Sequence, residues 1–137
     1  MKIKRRINGL LRIYIILSCI LLIFATISYA ATTLMTYKGE MIRDKMSISS
    51  FSLTSKSEFT VKHTTTSEAP AKLHIQLYKK GTDGKYDYTG NEITKTGKGN
   101  ATVTWSKGKG TYKLRFYVPK PSFGSWLAAD INGEVVK

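Results

Sequence analysis

The feature that most constrains the fold is an alternation of apolar and polar residues with a period of two, which begins at Met46 and continues towards the C-terminus. In "KLHIQLYKK", Leu73, Ile75 and Leu77 share one face, and polar residues stand between them. Residues 111–119, "TYKLRFYVP", repeat the pattern. Alternation of this kind predicts strands with one buried face, and no segment after the N-terminal leader has a helical period.

Turn signals separate the alternating stretches about every 8–12 residues, as in β-sandwiches. Asp83-Gly84 predicts a tight hairpin turn, and residues 89–92, 97–100 and 106–110 are further Gly-rich turns. Asn132-Gly133 predicts a type I′ turn between two short strands. The sequence therefore predicts an all-β fold, an antiparallel β-sandwich of about seven or eight short strands, since strands this short and irregular do not favour a closed barrel.

The chain divides into three predicted parts. Residues 1–30 predict an N-terminal hydrophobic signal or anchor helix, residues 31–45 a tether or a short first strand, and residues 46–137 the β-sandwich domain. Cys19 lies in the first part and is the only cysteine. About 107 residues can bury enough apolar surface to fold without disulfides.

The leader has the organisation of a secretory signal peptide. Basic residues precede an uncharged stretch from Ile13 to Ala31, and Ser28 and Ala30 fit the small-x-small pattern at a cleavage site that would make Ala31 the new N-terminus. The alternative is an uncleaved single-pass anchor, since about 20 apolar residues span a bilayer. Both alternatives export the domain, as a secreted, cell-surface or membrane-anchored protein. The absence of disulfides suggests a Gram-positive-like surface.

The charge balance favours anionic partners. The chain has a net charge of +13, and removal of the five basic residues of the leader leaves +8. Such a field attracts wall polymers, anionic lipid headgroups or other polyanions. After the leader, Arg43 and Arg115 are the only arginines. Because readers of nucleic-acid sequence favour arginine, we expect diffuse polyanion contact and no sequence-specific nucleic-acid binding.

The residues that catalysis needs are scarce. The exported part has no cysteine, no G-x-S-x-G motif, and only His63 and His74 as imidazoles. We expect His63 to be partly buried and hydrogen-bonded on the apolar face of its strand, and His74 to be exposed. Residues 81–87, "GTDGKYD", are too short and too basic for a calcium loop. The prediction is a protein that is not an enzyme and has no cofactor and no metal.

Two sets of side chains are candidates for binding. Lysines cluster around turns that could share one end of the sandwich, and exposed tyrosines could stack on sugar rings or bases, although tyrosine is also common at solvent-facing strand positions. The predicted anionic-surface residues are Lys79, Lys80, Lys85, Lys107, Lys109 and Lys113, and the predicted aromatic platform is Tyr78, Tyr86 and Tyr88.

The leading hypothesis is an exported, non-enzymatic protein that associates with an anionic surface such as the bacterial cell wall. The alternative is a protein-recognition factor of the envelope or medium, such as an inhibitor, a toxin-like protein or an immunity protein. A small secreted hydrolase is a third, weaker hypothesis.

One strand motif resembles a known group of modules. Gly110, Thr111, Tyr112, Leu114 and Phe116 match the pattern G-T-Y-x-[LV]-x-[VF]. This pattern follows a Gly-rich turn in small exported bacterial β-sandwiches, including pre-peptidase C-terminal-like and Ig-like modules. The resemblance covers about half of the residues after the leader, and the acidic metal-binding loops of some such modules have no counterpart. It implies an accessory or binding module.

Overall fold

The part of the chain that follows the leader forms nine β-strands in the computed structural model, which describes residues 30–67 and 72–137. Residues 31–137 form one compact unit. The strands are β1 (Thr33–Ile42), β2 (Asp44–Met46), β3 (Phe51–Leu53), β4 (Ser57–Thr65), β5 (Leu73–Lys80), β6 (Tyr86–Lys95), β7 (Gly99–Lys107), β8 (Gly110–Tyr117) and β9 (Ala129–Val136).

The strands make two antiparallel sheets. The four-stranded sheet has the order β1-β9-β4-β7, and the five-stranded sheet has the order β2-β8-β5-β6, with β3 also paired to β8. Among the nine described strands, only β5 and β6 form a hairpin between neighbours of one sheet. β2 and β3 pair with successive segments of β8, and each of the other connections crosses between the sheets. The all-β, two-sheet prediction is confirmed, with nine strands where seven or eight were expected.

The core lies between the two sheets and is rich in aromatic rings. The ring of Phe59 in the four-stranded sheet lies 5.0 Å from Phe51 in the five-stranded sheet, and Phe51 stacks on Tyr112 at 5.6 Å. Leu73, Ile75 and Leu77 are fully buried, as the alternation predicted. Burial of each large apolar side chain contributes about 1.5–3 kcal/mol, so these facing rows hold the sheets together.

Three predicted turns are confirmed. Asp83-Gly84 lies at the tip of the β5–β6 hairpin, where the Gly81 N–H donates to the Lys85 carbonyl at 2.7 Å and Gly84 has φ of +83°. The Asp83 carboxylate accepts the Lys85 N–H at 3.0 Å, an Asx-type contact that fixes the turn. The turns before β7 and before β8 also stand where the Gly-rich stretches predicted them.

The predicted turn at residues 89–92 is wrong. These residues lie inside β6, and the strand bulges there: β6 advances from Tyr88 to Glu92 while its partner β5 advances only from Tyr78 to Gln76. Gly90 adopts φ of +81° at this bulge. The glycine signal was genuine, but it marks an irregularity within a strand, which uses the same backbone conformation as a turn.

The predicted type I′ turn at Asn132-Gly133 is also wrong, because both residues lie within β9. Gly133 pairs with Tyr37 on one side and with His63 on the other. A Cβ atom at Gly133 would lie 2.3 Å from both the Tyr37 hydroxyl and the Lys62 carbonyl oxygen. Glycine is therefore needed here for close approach of neighbouring atoms, and a positive φ is not involved.

The tether alternative for residues 31–45 is wrong as well. Residues 33–42 form the ten-residue strand β1 at the edge of the four-stranded sheet, and Asp44–Met46 form β2. The signal or anchor helix predicted for residues 1–30 lies outside the described residues except for Ala30. The described part of the chain contains no helix, and therefore none that is long and apolar enough to cross a membrane.

Candidate anion-binding groove

Two turns meet at one end of the domain and border an open groove of about 700 Å³. The first turn joins β5 to β6, and the second joins β7 to β8 across the two sheets. They come together because Lys79 near the end of β5 pairs with Tyr112 near the start of β8. We call this end of the domain, with residues 79–89 and 107–112, the groove end.

Three of the six predicted lysines, Lys79, Lys80 and Lys107, line this groove. Asp87 is the only carboxylate among the lining residues of the described chain. Nearby, the Asp83 carboxylate is engaged by the backbone of its own turn. The groove therefore carries an excess of positive charge in an open site, which suits phosphate or carboxylate groups of an extended ligand.

Lys79 is positioned by an aromatic ring and a glycine. Its Nζ lies 6.0 Å from the centroid of the Tyr112 ring, within the range of a cation–π contact. The Tyr112 hydroxyl donates to the Gly108 carbonyl at 2.7 Å, which fixes the ring against the β7–β8 turn. A Cβ atom at Gly110 would lie 2.6 Å from Cε of Lys79. Gly110 thus leaves room for the lysine stem, a role that the sequence motif did not reveal.

The other three predicted lysines lie outside the groove. Lys85 and Lys109 stand in the two turns and are exposed. Lys113 lies on the outer face of the five-stranded sheet, with its Nζ 5.3 Å from the Tyr86 ring. The predicted set is thus divided into three groove lysines, two turn lysines and one lysine on the sheet face.

The predicted aromatic platform also divides. Tyr78 and Tyr88 contact each other with ring centroids 5.6 Å apart, and Tyr88 both stands exposed and lines the groove. Tyr86 lies beneath Lys113. The Tyr78 hydroxyl accepts a hydrogen bond from Arg115 at 3.0 Å, so this ring is held in place by a charged neighbour. Of the three rings, Tyr88 alone is available to a ligand in the groove.

An ion pair that the sequence did not suggest fixes Arg115. Its guanidinium donates two hydrogen bonds to the Asp44 carboxylate, at 2.8 and 2.7 Å. The hydrogen bond from Arg115 lowers the pKa of Asp44 below its usual value. Asp44 was missed because a sequence does not reveal which strands pair, and Asp44 reaches Arg115 only through the pairing of β2 with β8.

The two histidines occupy opposite environments. His63 is 1% exposed; its Nδ1 lies 3.0 Å from the Tyr37 hydroxyl and its Nε2 lies 3.0 Å from the Thr65 hydroxyl. Burial lowers the pKa of His63 to about 4. His74 was expected to be exposed, but it is half-buried and pairs with Glu92 at 2.5 Å. Hydrogen bonds from Gln76 and then His74 lower the pKa of Glu92.

A loop with exposed apolar side chains lies at the opposite end of the domain. Phe123 is 93% exposed in the loop between β8 and β9, and Leu127 is exposed beside it. The loop is anchored by Trp126, whose Nε1 donates to the Val118 carbonyl at 2.8 Å, and by Arg43, which donates to the Trp126 carbonyl at 2.9 Å. We call residues 118–128 the Phe123 loop.

The remaining predicted positions concern cleavage and metals. Ser28 lies outside the described residues, while Ala30 and Ala31 are exposed just before β1. Within residues 30–67 and 72–137, no group of three or more His, Cys, Asp or Glu side chains could hold a metal ion.

The fold and the groove together define a class: a small antiparallel two-sheet β domain with a lysine-lined groove at one end. Beyond that class, no protein-family model matches the sequence, and no curated protein matches it.

Proposed function

We propose that the domain is an exported, non-enzymatic module that binds an anionic polymer of the bacterial cell surface in the lysine groove. The observation that carries this proposal is the convergence of Lys79, Lys80 and Lys107 on one groove with a single carboxylate in its lining, Asp87. Lysine is a compact point charge on a flexible stem, which suits repeated phosphates better than fixed bidentate recognition. An accessory role of this kind is also what the resemblance of the strand motif implies.

Neighbouring residues extend the proposed site. Lys85 and Lys109 stand in the two turns that bound the groove, so they would widen the positive field that attracts a polyanion. The exposed ring of Tyr88 would offer a flat apolar surface to a sugar unit of the polymer. Charge would then supply attraction, and the ring would supply contact at short range.

The proposed cleavage site before Ala31 lies outside the first strand, which begins at Thr33. Backbone hydrogen bonds join Thr32 to Lys137 at 2.7 and 2.8 Å, directly before β1 begins. Cleavage before Ala31 would leave β1 complete. The new α-amino group would add positive charge at the groove end, because the start of β1 and the end of β7 lie at the same end of the four-stranded sheet.

The test uses polyglycerol phosphate as the probe and residues 31–137, which contain all nine strands and form one compact unit. The groove variant is K79Q/K80Q/K107Q. The control variant K45Q/K72Q/K120Q removes three exposed lysines that lie towards the opposite end of the strands, so both variants lose the same charge. Affinity is measured by calorimetry over a series of NaCl concentrations.

We expect the groove variant to lose on the order of 100-fold in affinity at low salt, since each lysine near an anionic surface contributes ~1 kcal/mol. The control variant should lose much less, and wild-type binding should weaken steeply as salt screens the charges. Equal losses in the two variants would show that net charge alone drives binding and that the groove is not the site. Binding that does not change with salt would overturn the proposal.

A protein-recognition role is the second candidate, and the Phe123 loop favours it. An exposed phenylalanine and leucine on an anchored loop are typical of a contact for another protein. Crosslinking to native envelope fractions would test it: a single partner that is captured by wild type but lost in Phe123→Ser, at unchanged salt, would favour this role over polymer binding.

A further inference from the structure

The four sheet edges of the domain are protected unequally. An exposed edge strand offers unpaired N–H and C=O groups to another chain, and proteins usually interrupt such edges. Edge strand β1 has register shifts near both of its ends. Edge strand β6 carries the bulge at Gly90, and the other edge of the five-stranded sheet is split into two strands of three residues, β2 and β3.

Strand β7 has none of these interruptions. It runs for nine residues in unbroken register with β4, from Ser57 opposite Lys107 to Thr65 opposite Gly99. Among the described residues, β4 is the only strand that pairs with it. Ala101 and Val103 face the core but are only half-buried, so the core is incompletely covered along this edge.

We propose that β7 is a homodimer interface, in which it pairs antiparallel with β7 of a second copy about a twofold axis through Val103. This register is the one in which all nine residues of both strands overlap. It places Thr102 opposite Thr104, Ala101 opposite Trp105 and Gly99 opposite Lys107 of the other copy. The two four-stranded sheets would then form one continuous sheet of eight strands, and the half-buried inner face of each β7 would be covered.

The side chains favour a second copy over an unrelated strand. Threonine pairs across strands are stabilising, and Thr104 already makes such a contact with Thr60 of its own chain at 2.9 Å. A small residue, Ala101, would meet a large one, Trp105, on the inner face. Lys107 is the only charged residue of β7, and it would face glycine, so no like charges would be directly opposed. A twofold interface of this type closes on itself and stops at two copies.

The twofold register makes a charge-reversal test possible, since positions 102 and 104 face each other in both directions. In T102E/T104E, each glutamate would face a glutamate of the other copy. In T102E/T104K, the same two positions would carry two opposite-charge pairs. Sedimentation velocity on residues 31–137 measures the association of wild type and both variants, and far-UV circular dichroism with thermal unfolding confirms that both variants are folded.

We expect wild type to dimerise, T102E/T104E to weaken the dimer about tenfold, and T102E/T104K to restore it to near the wild-type level. A wild-type chain that remains monomeric up to about 100 µM would overturn the proposal. A T102E/T104E dimer of unchanged affinity would overturn it as well, because association would then use another surface. The result is independent of polymer binding, which is measured separately.

Discussion

Two polar networks, one inside the domain and one on its surface, each link strands of a single sheet. The inner histidine network consists of Tyr37, His63 and Thr65, and it reaches from β1 to β4 across Gly133 of β9. The outer ion-pair network consists of Asp44, Tyr78 and Arg115, which belong to β2, β5 and β8. Both are built from hydrogen bonds of 2.7–3.0 Å, yet they differ in exposure and in charge.

Burial determines whether the groups of each network are neutral or charged. Inside, burial disfavours ionisation: it lowers the pKa of His63 to about 4 and raises the pKa of Tyr37. These groups stay neutral, and both ring nitrogens of His63 have partners. Outside, Asp44 and Arg115 remain charged, because their hydrogen bonds lower the pKa of the acid and raise the pKa of the base. Disruption should therefore cost much more inside than outside.

The largest effect is expected for Gly133→Ala, which breaks the inner network by steric overlap. The new Cβ would meet the Tyr37 hydroxyl and the Lys62 carbonyl at 2.3 Å, so the tyrosine must move away from His63. Overpacking and an unsatisfied buried histidine together should lower the free energy of unfolding by about 3–5 kcal/mol. Urea unfolding followed by tryptophan fluorescence measures the change.

Gly108→Ala is the matched control. Gly108 stands in the β7–β8 turn, and a Cβ atom there meets nothing within 4 Å. Its effect should lie within about 0.5 kcal/mol. Unfolding midpoints that are equal in the two variants would show that β9 can shift to accept a side chain, and that the close approach at Gly133 is not a constraint.

The second effect is a loss of stability in mild acid, to which His63 of the inner network should contribute most. The unfolded chain protonates His63 near pH 6.5, whereas the folded chain resists protonation until about pH 4. As pH falls through this window, the unfolded state binds a proton that the folded state excludes, so stability falls. The loss should approach about 3 kcal/mol at pH 4.

Histidine variants separate this effect from general acid denaturation. His63→Gln should flatten the dependence of unfolding free energy on pH between 6.5 and 4.5, whatever its stability at neutral pH. His74→Gln should leave the slope caused by His63 in place. A slope that survives in His63→Gln would assign the acid sensitivity to other groups and would remove the proposed contrast between the two networks.

The sequence predicts features that lie within one strand better than contacts between strands. The rows of buried residues, such as Leu73, Ile75 and Leu77, could be predicted because the apolar residues of one strand alternate with its polar residues. The role of Gly133 could not be predicted. In the sequence, a glycine that forms a turn looks the same as a glycine that leaves room for a side chain of a neighbouring strand, here Tyr37. Asp44 and Arg115 meet only through strand pairing, which alternation does not encode. The positions of the predicted lysines could not be derived from the sequence either. Lys79, Lys80 and Lys107 share a groove only because the chain crosses from one sheet to the other between β7 and β8.

The smallest effect is expected for Asp44→Asn, which breaks the outer ion-pair network. Both side chains keep contact with water, so we expect a loss of only about 0.5–1 kcal/mol, which should shrink further in high salt. Glu40→Gln is the control, since Lys38 and Glu40 stand 3.8 Å apart and are far more exposed; it should have no measurable effect. Urea unfolding at low and high salt measures both. If Asp44→Asn lowered the free energy of unfolding as much as Gly133→Ala does, burial would not decide how much a network contributes to stability. The two hydrogen bonds from Arg115 to Asp44 would then hold β2 to the five-stranded sheet as firmly as the packed core does.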